Sequence, residues 1–206
     1  MGQYYKAVVL ANQAKLSLKE RLEMEVRGND TKILGYFTSW DYQAGSKLME
    51  HSWLKNKYVN TVASMFAPDG QFYKDSLVWA GDYADEEPDG ITLYGMCDEE
   101  DYPEVEHLKP KVSHKRYRYV INHVKKLYVD TRRVPISDTY TAENGKKYHY
   151  RIHPLPLLTC SSNGLGGGDF YGNDSNNLVG SWARDIISVD NIIPAGYERL
   201  EFNLVE

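Results

Sequence analysis

An α+β domain, with an antiparallel, hairpin-rich sheet and two short helices packed on one face, is the fold this sequence predicts. Three observations carry that expectation. Seventeen tyrosines in 206 residues favour half-buried strands, since the ring is apolar and its tip polar. The tract Tyr140–Ile152 alternates around Asn144 and Gly145, a pair that supplies the positive φ values of a type I′ hairpin turn. Between residues 46 and 66 the apolar spacing becomes helical, with Leu48, Met49 and Trp53 in one run and Tyr58, Val59, Val62, Met65 and Phe66 in the next. A hydrophobic content of 42% supports one substantial core, so residues 1–206 are expected to form a single domain.

Taken in order, Tyr4–Asn12 is β-branched and aromatic, as a strand requires. Leu22, Met24 and Val26 alternate with Glu23 and Glu25, which predicts a hairpin-rich opening, although Leu18, Leu22 and Val26 also fit helical spacing. Lys32–Trp40 continues as a strand, and the two short helices end before Pro68, Asp69 and Gly70. Leu77–Gly81 reads as a buried strand entering the acidic turn Asp82–Gly90, and residues 85–112 as an irregular acidic insertion. Tyr117–Asn122 and Leu127–Asp130 flank His123–Lys126 as a hairpin. The segments VVLANQAKLSL and VINHVKKLYV share an order of residue types, a single short match that suggests an internal repeat. In the second strand of the Asn-Gly hairpin, Tyr148, Tyr150 and Ile152 face one side and His149, Arg151 and His153 the other, with Pro154 and Pro156 ending the pairing. The stretch Ile152–Asp190 then places a glycine-rich loop between two apolar, strand-like segments, IHPLPLLTC and NNLVGSWARDIISVD.

That loop, with four of the sixteen glycines inside five residues, is the first place to look for a ligand. It is not a P-loop, because Asp169, Phe170, Tyr171 and Gly172 follow the glycines where a lysine and a hydroxyl residue would stand. It is not a dinucleotide fingerprint either, because DFYGNDSNN forms turns where a helix should open. Asp169, Asn173, Asp174 and Asn176 miss the spacing of a calcium loop and its late glutamate. Two readings stay open: a compact surface loop packed by Phe170 and Tyr171, or a ligand site of His153, Gly166, Gly167, Gly168, Asp169 and Arg184, in which base, carboxylate and anion-binding group converge.

Other catalytic and metal patterns fail on spacing. His149 and His153 would lie about 13 Å apart along a strand, too far to share an ion, and His51 beside Glu50 makes no HExxH arrangement. No metal and no cofactor is expected. The face carrying His149 and Arg151 reads as an ordinary polar surface or as one that binds an anion. Cys160 closes an apolar run as a small hydrophobe, and Ser181 lacks the flanking glycines of a nucleophile elbow. Cys97 and Cys160 have no CxxC partner, so two ordinary thiols are expected. MGQYYKAVVL lacks the features of a signal peptide, and no apolar run approaches the roughly 20 residues of a bilayer span, so a cytoplasmic protein without membrane contact is expected.

The net charge of −5 hides an asymmetry: eleven acidic residues and no Lys or Arg from Asp82 to Glu106, then nine basic residues against Asp130 alone from Lys109 to Arg133. The blocks either neutralise each other on a solvated face or form an interaction surface. In the second reading Asp82, Asp85, Glu86 and Glu87 imitate a phosphate backbone toward a nucleic-acid-binding host protein, and Lys115, Arg116 and Arg118, interleaved with tyrosine, engage a partner or nucleic acid directly.

The blocks MGQYYK, GSKLMEHSW, WAGDYAD, IHPLPLLT, NGLGGGDFYGND and LVGSWARDIISV, which cover much of the chain, resemble a family of uncharacterised proteins from bacterial genomes, phages and mobile elements. The resemblance implies a genomic context and no mechanism: an accessory role in a phage or mobile element, including inhibition of a host defence system. The leading expectation is a non-catalytic binding protein with a macromolecular partner, a protein first and nucleic acid second. The alternative is a small-molecule or nucleotide-binding enzyme built around the glycine loop.

Overall fold

The computed structural model describes residues 2–27, 32–37, 47–88, 90–99 and 117–206. In chain order its strands are β1 (Tyr5–Leu10), β2 (Ile33–Phe37), β3 (Asp75–Gly81), β4 (Tyr119–Asn122), β5 (Leu127–Asp130), β6 (Asp138–Thr141), β7 (Lys147–Tyr150), β8 (Ile186–Asp190) and β9 (Glu198–Arg199). The helices are α1 (Leu18–Arg27), α2 (Leu48–His51), α3 (Lys57–Met65), α4 (Leu93–Glu99) and α5 (Pro154–Thr159). Seven strands form one sheet in the order β2-β1-β3-β8-β4-β5-β9, antiparallel except where β9 joins β5, while β6 and β7 form a separate hairpin. The α+β class and the antiparallel sheet expected from the sequence are therefore present.

Strand alternation decides what covers each face. In the β1–β3 register Ala7 lies opposite Trp79 and Val9 opposite Leu77, whereas Val8 lies opposite Val78. The first set joins the larger core with Val59 and Val62 of α3, its C-cap Phe66, and Leu155, Leu157 and Leu158 of α5. Burying each such side chain contributes roughly 1.5–3 kcal/mol, which holds helices too short to persist alone. Val8, Leu10, Val78 and Ala80 point to the opposite face and pack with Leu93, Met96 and Cys97 of α4. Every residue of β1 and β3 is buried as a result, and both strands read as nearly continuous apolar runs. Lys6 is fully buried beneath α4, its Nζ donating to Asp98 at 2.6 Å and lying 4.0 Å from the Tyr94 ring centre.

Several expectations are corrected. The opening is not hairpin-rich, because residues 18–27 are helical. Ser17 and Glu20 form a reciprocal capping box, with Glu20 Oε2 accepting from Ser17 N at 2.9 Å and Ser17 Oγ from Glu20 N at 3.3 Å. The acidic stretch is not wholly irregular: Thr92 Oγ1 accepts from Gly95 N at 3.0 Å and opens α4, while Asp89 and residues 100–112 lie outside the described residues. The two short helices expected, α2 and α3, do share one face of the sheet, and α4 adds cover on the other. IHPLPLLTC is not strand-like: His153 caps α5, and Pro154 and Pro156 fall in its first turn, where their missing N–H groups cost no helical bond. The Asn-Gly hairpin is present but not through a type I′ turn. Gly145 alone takes positive φ in the loop (76°), Gly145 N–H bonds the Ala142 carbonyl at 2.8 Å, and a three-residue loop with a glycine bulge results. Of the second apolar segment only Ile186–Asp190 is a strand, so Arg184 and Asp185 precede it and do not alternate within it.

Candidate functional site

The glycine-rich loop closes on the start of the chain. The Gly167 carbonyl accepts from Gln3 N–H, and the Gly168 carbonyl from Met49 N–H at 3.1 Å, which ties β1 and α2 together. Gly168 has φ of 104°, and a Cβ there would lie 2.7 Å from the Gln3 carbonyl oxygen, so only glycine fits. Asp169 is buried; its Oδ2 accepts from Gly166 N–H at 2.6 Å and its Oδ1 from the Tyr5 hydroxyl. Burial and this carboxylate push the Tyr5 phenol well above its ordinary range, which keeps it a donor. Phe170 packs the loop as expected, whereas Tyr171 is exposed.

His153, Asp169 and Arg184 do not share a hydrogen bond or ion pair. His153 is buried, and its Nδ1 accepts from Leu155 N–H at 3.1 Å as the cap of α5. Burial lowers its pKa to about 3, so the ring is neutral at physiological pH. Arg184, at φ of 66°, forks onto Glu87, with one contact at 3.3 Å. Cys97 and Cys160 are both buried, and burial pushes each thiol up to about 12, outside the range of a nucleophilic thiolate.

The charged stretches divide in the same manner. Asp82 accepts from Tyr4 N–H at 3.1 Å, with burial raising its pKa, and Glu87 is engaged by Arg184. Asp85 and Glu86 are exposed. Arg118 binds Asp130 in a fork, at 3.2 Å from Nε and 2.8 Å from Nη2, which holds the Asp130 carboxyl below its ordinary range. Lys115 and Arg116 lie outside the described residues and immediately precede Tyr117 and Arg118.

A larger feature lies beside β7. A cleft of about 1010 Å³ opens between the α2–α3 connection, the adjoining ends of β4 and β5, and the strand β7. Among the described residues its lining includes Lys55, Arg118, Arg132, Lys146, Lys147 and Arg151, and no Asp or Glu. Among the described residues Lys55, Arg132 and Lys147 have no ion-pair partner. Lys146 stands 5.1 Å from the Tyr148 ring centre, and Arg151 donates to the Val134 carbonyl. Trp53, Tyr117, Tyr148 and Tyr150 supply aromatic surface. Three backbone contacts set the walls: a bridge between Trp53 and Ile152, Leu54 N–H to the Arg151 carbonyl at 2.9 Å, and Ser137 N–H to the Tyr150 carbonyl at 2.9 Å. The base of the β6–β7 hairpin is thereby joined to the core while all eight strand residues stay exposed.

Sequence reading reached parts of this cleft. His149 and Arg151 fall on the strand face open to anions, and Arg118 and Arg132 in the basic block Lys109–Arg133, whereas Lys55, Lys146 and Lys147 belong to neither. The run KKYHYR from Lys146 to Arg151 was the available signal. The wall residue His153 does belong to the cleft, although as a buried, neutral cap. Among the described residues no group of three or more His, Cys, Asp and Glu side chains is placed to hold a metal, and no helix is long and apolar enough to cross a membrane. Compared with family models, curated proteins and solved structures, the chain matches none of them.

Proposed function

We propose that this chain is a non-catalytic binding protein whose macromolecular partner is nucleic acid, held by its phosphates in the cleft beside β7. One observation carries the reading: among the described residues six Lys and Arg, of which Arg118 alone is in an ion pair, and no Asp or Glu line a single concavity of a chain whose net charge is −5. A cationic cleft with low-dielectric walls focuses field on an approaching polyanion, and phosphate contacts release condensed counterions. The acidic stretch supports a protein partner less well, since Asp82 and Glu87 are engaged within the chain. We take the setting to be the phage or mobile element implied by the family resemblance, where a protein occupying nucleic acid would shield it from a host defence system.

Fluorescence anisotropy with labelled oligonucleotides of about 20 nucleotides, single-stranded and duplex, tests the proposal. Affinity should fall linearly with salt on logarithmic axes, with a slope of roughly −0.7 to −0.9 per phosphate contacted. Absence of binding to both forms at about 50 mM salt, where such contacts are strongest, overturns it.

A further inference from the structure

We infer that the cleft takes single-stranded nucleic acid, with unpaired bases stacking on an aromatic row formed by Trp53, Tyr150, Tyr148 and Tyr140; this rests on the nucleic-acid reading of the cleft. The row follows from strand geometry. Tyr148 and Tyr150 are two residues apart on β7 and share a face, about 6.6 Å apart along the strand. The β6–β7 register sets Tyr140 opposite Tyr148, with ring centres 6.5 Å apart. At the other end the Tyr150 and Trp53 rings meet edge to face at 5.3 Å. Three rings thus run from the core-anchored Trp53 out along β7, and Tyr140 widens the row beside Tyr148 on the paired strand.

Exposure separates this row from an ordinary core stripe. Tyr140, Tyr148 and Tyr150 are 54%, 38% and 39% exposed, on a hairpin where every strand residue faces solvent. A row serving only to fold the chain would be covered; this one leaves ring surface available for another flat partner. Cations flank it: Lys146 Nζ stands 5.1 Å from the Tyr148 ring centre, and Lys55 and Arg132 line the cleft across from β7, while Lys147, next to Tyr148 in the strand, turns to the other side. Aromatic faces for bases beside cations for phosphates are the two components of single-strand binding, and stacking is sequence-tolerant because every base has a π face. A duplex keeps its base faces inside its own stack. It would engage the lysines and arginines and leave the rings idle.

Anisotropy with labelled oligo(dT), oligo(dA) and a duplex of equal length, at matched salt, reads the difference. Both single strands should bind at least about tenfold more tightly than the duplex, and Tyr148→Ala and Tyr140→Ala should each weaken single-strand binding about tenfold. Tyr148→Phe, which keeps the ring, should retain wild-type affinity. The salt slope should be unchanged in the tyrosine variants and shallower in Lys146→Glu, because only the lysine contacts phosphate. Thermal melts of the exposed-site variants confirm that they are folded. Duplex binding equal to single-strand binding, or tyrosine variants of wild-type affinity, overturns the stacking inference and leaves the nucleic-acid proposal standing. No binding of any oligonucleotide overturns both.

Discussion

The glycine-rich loop at Gly166–Asp169 and the cleft beside β7 are both polar and both seated on the larger core, yet their polar groups do opposite things. In the loop, carbonyls accept from Gln3 and Met49, and the Asp169 carboxylate is satisfied by Gly166 and Tyr5. In the cleft, Lys55, Arg132 and Lys146 face a concavity without ion-pair partners among the described residues. Glycines clustered in sequence mark a place where backbone comes close to something. In this protein the something is the chain's own first strand. Unpaired like charges gathered in a cleft are the better pointer to a partner, because their summed field attracts an external anion.

Exchanging the behaviour of the two regions by mutation tests that contrast most strongly at the cleft. The double variant Lys55→Glu/Lys146→Glu should lose about a hundredfold in oligonucleotide affinity at 0.1 M salt: two phosphate contacts account for roughly 1.4 decades, and reversal adds repulsion. Its melting temperature should stay near wild type, since both side chains are exposed and surface changes rarely exceed about 0.5 kcal/mol. Wild-type affinity in this variant, measured by anisotropy, would remove the cleft from the binding surface.

His153 belongs to both regions, being assigned to the loop by sequence and to the cleft wall by structure, and its protonation separates a structural role from a binding one. Its pKa falls from 6.5 in the unfolded chain to about 3 in the fold, so stability is fully present above pH 6.5 and is lost as pH drops toward 3. At pH 5 the loss reaches about 2 kcal/mol, at 1.36 kcal/mol per unit. His123, also lowered by burial to about 4, adds a loss of the same sign, so the contribution of His153 is read as a difference. His153→Asn preserves a helix cap and removes the titration. Denaturant unfolding at pH 7.5 and 5 should show a smaller acid loss in the variant; equal losses would mean that His153 does not titrate out of the fold.

How much of this was legible depended on how local the signal was. β1, β3, β4, β5 and β8 were readable because their apolar runs are continuous or alternating, and α3 because Tyr58, Val59, Val62 and Phe66 repeat at helical spacing. α1 was ambiguous, since Glu23 and Glu25 between apolar residues mimic strand alternation, and the decisive feature was a cap, Ser17 with Glu20. α5 was hidden by prolines that usually end structure but here begin it. α4 was masked by acidic composition although Leu93, Met96 and Cys97 carry helical spacing. The cleft was the least legible. Its cations come from four separate places in the chain, joined by the β4–β5 pairing and the Trp53–Ile152 bridge, and no window of sequence contains that juxtaposition.

The loop offers the complementary tests, with smaller effects confined to stability. Gly168→Ala should cost about 2 kcal/mol, because its φ of 104° and the nearby Gln3 carbonyl oppose any side chain, and oligonucleotide affinity should be unchanged where the variant is folded. Tyr5→Phe is the gentlest. It keeps the ring that packs in the larger core and removes only the hydroxyl donated to Asp169. The Gly166 N–H remains on the other carboxylate oxygen, so one acceptor is left unsatisfied in a buried setting, for a loss of about 1 kcal/mol in urea unfolding. Restoration by the further change Asp169→Asn is not expected, because the amide oxygen can keep the Gly166 N–H only by turning its NH2 toward the residue 5 ring, which exchanges a buried unsatisfied acceptor for a buried donor. If instead Tyr5→Phe left stability untouched and altered ligand affinity, the Asp169 carboxylate would be acting outward, and the distinction between an inward-facing loop and an outward-facing cleft would fail at its most buried contact.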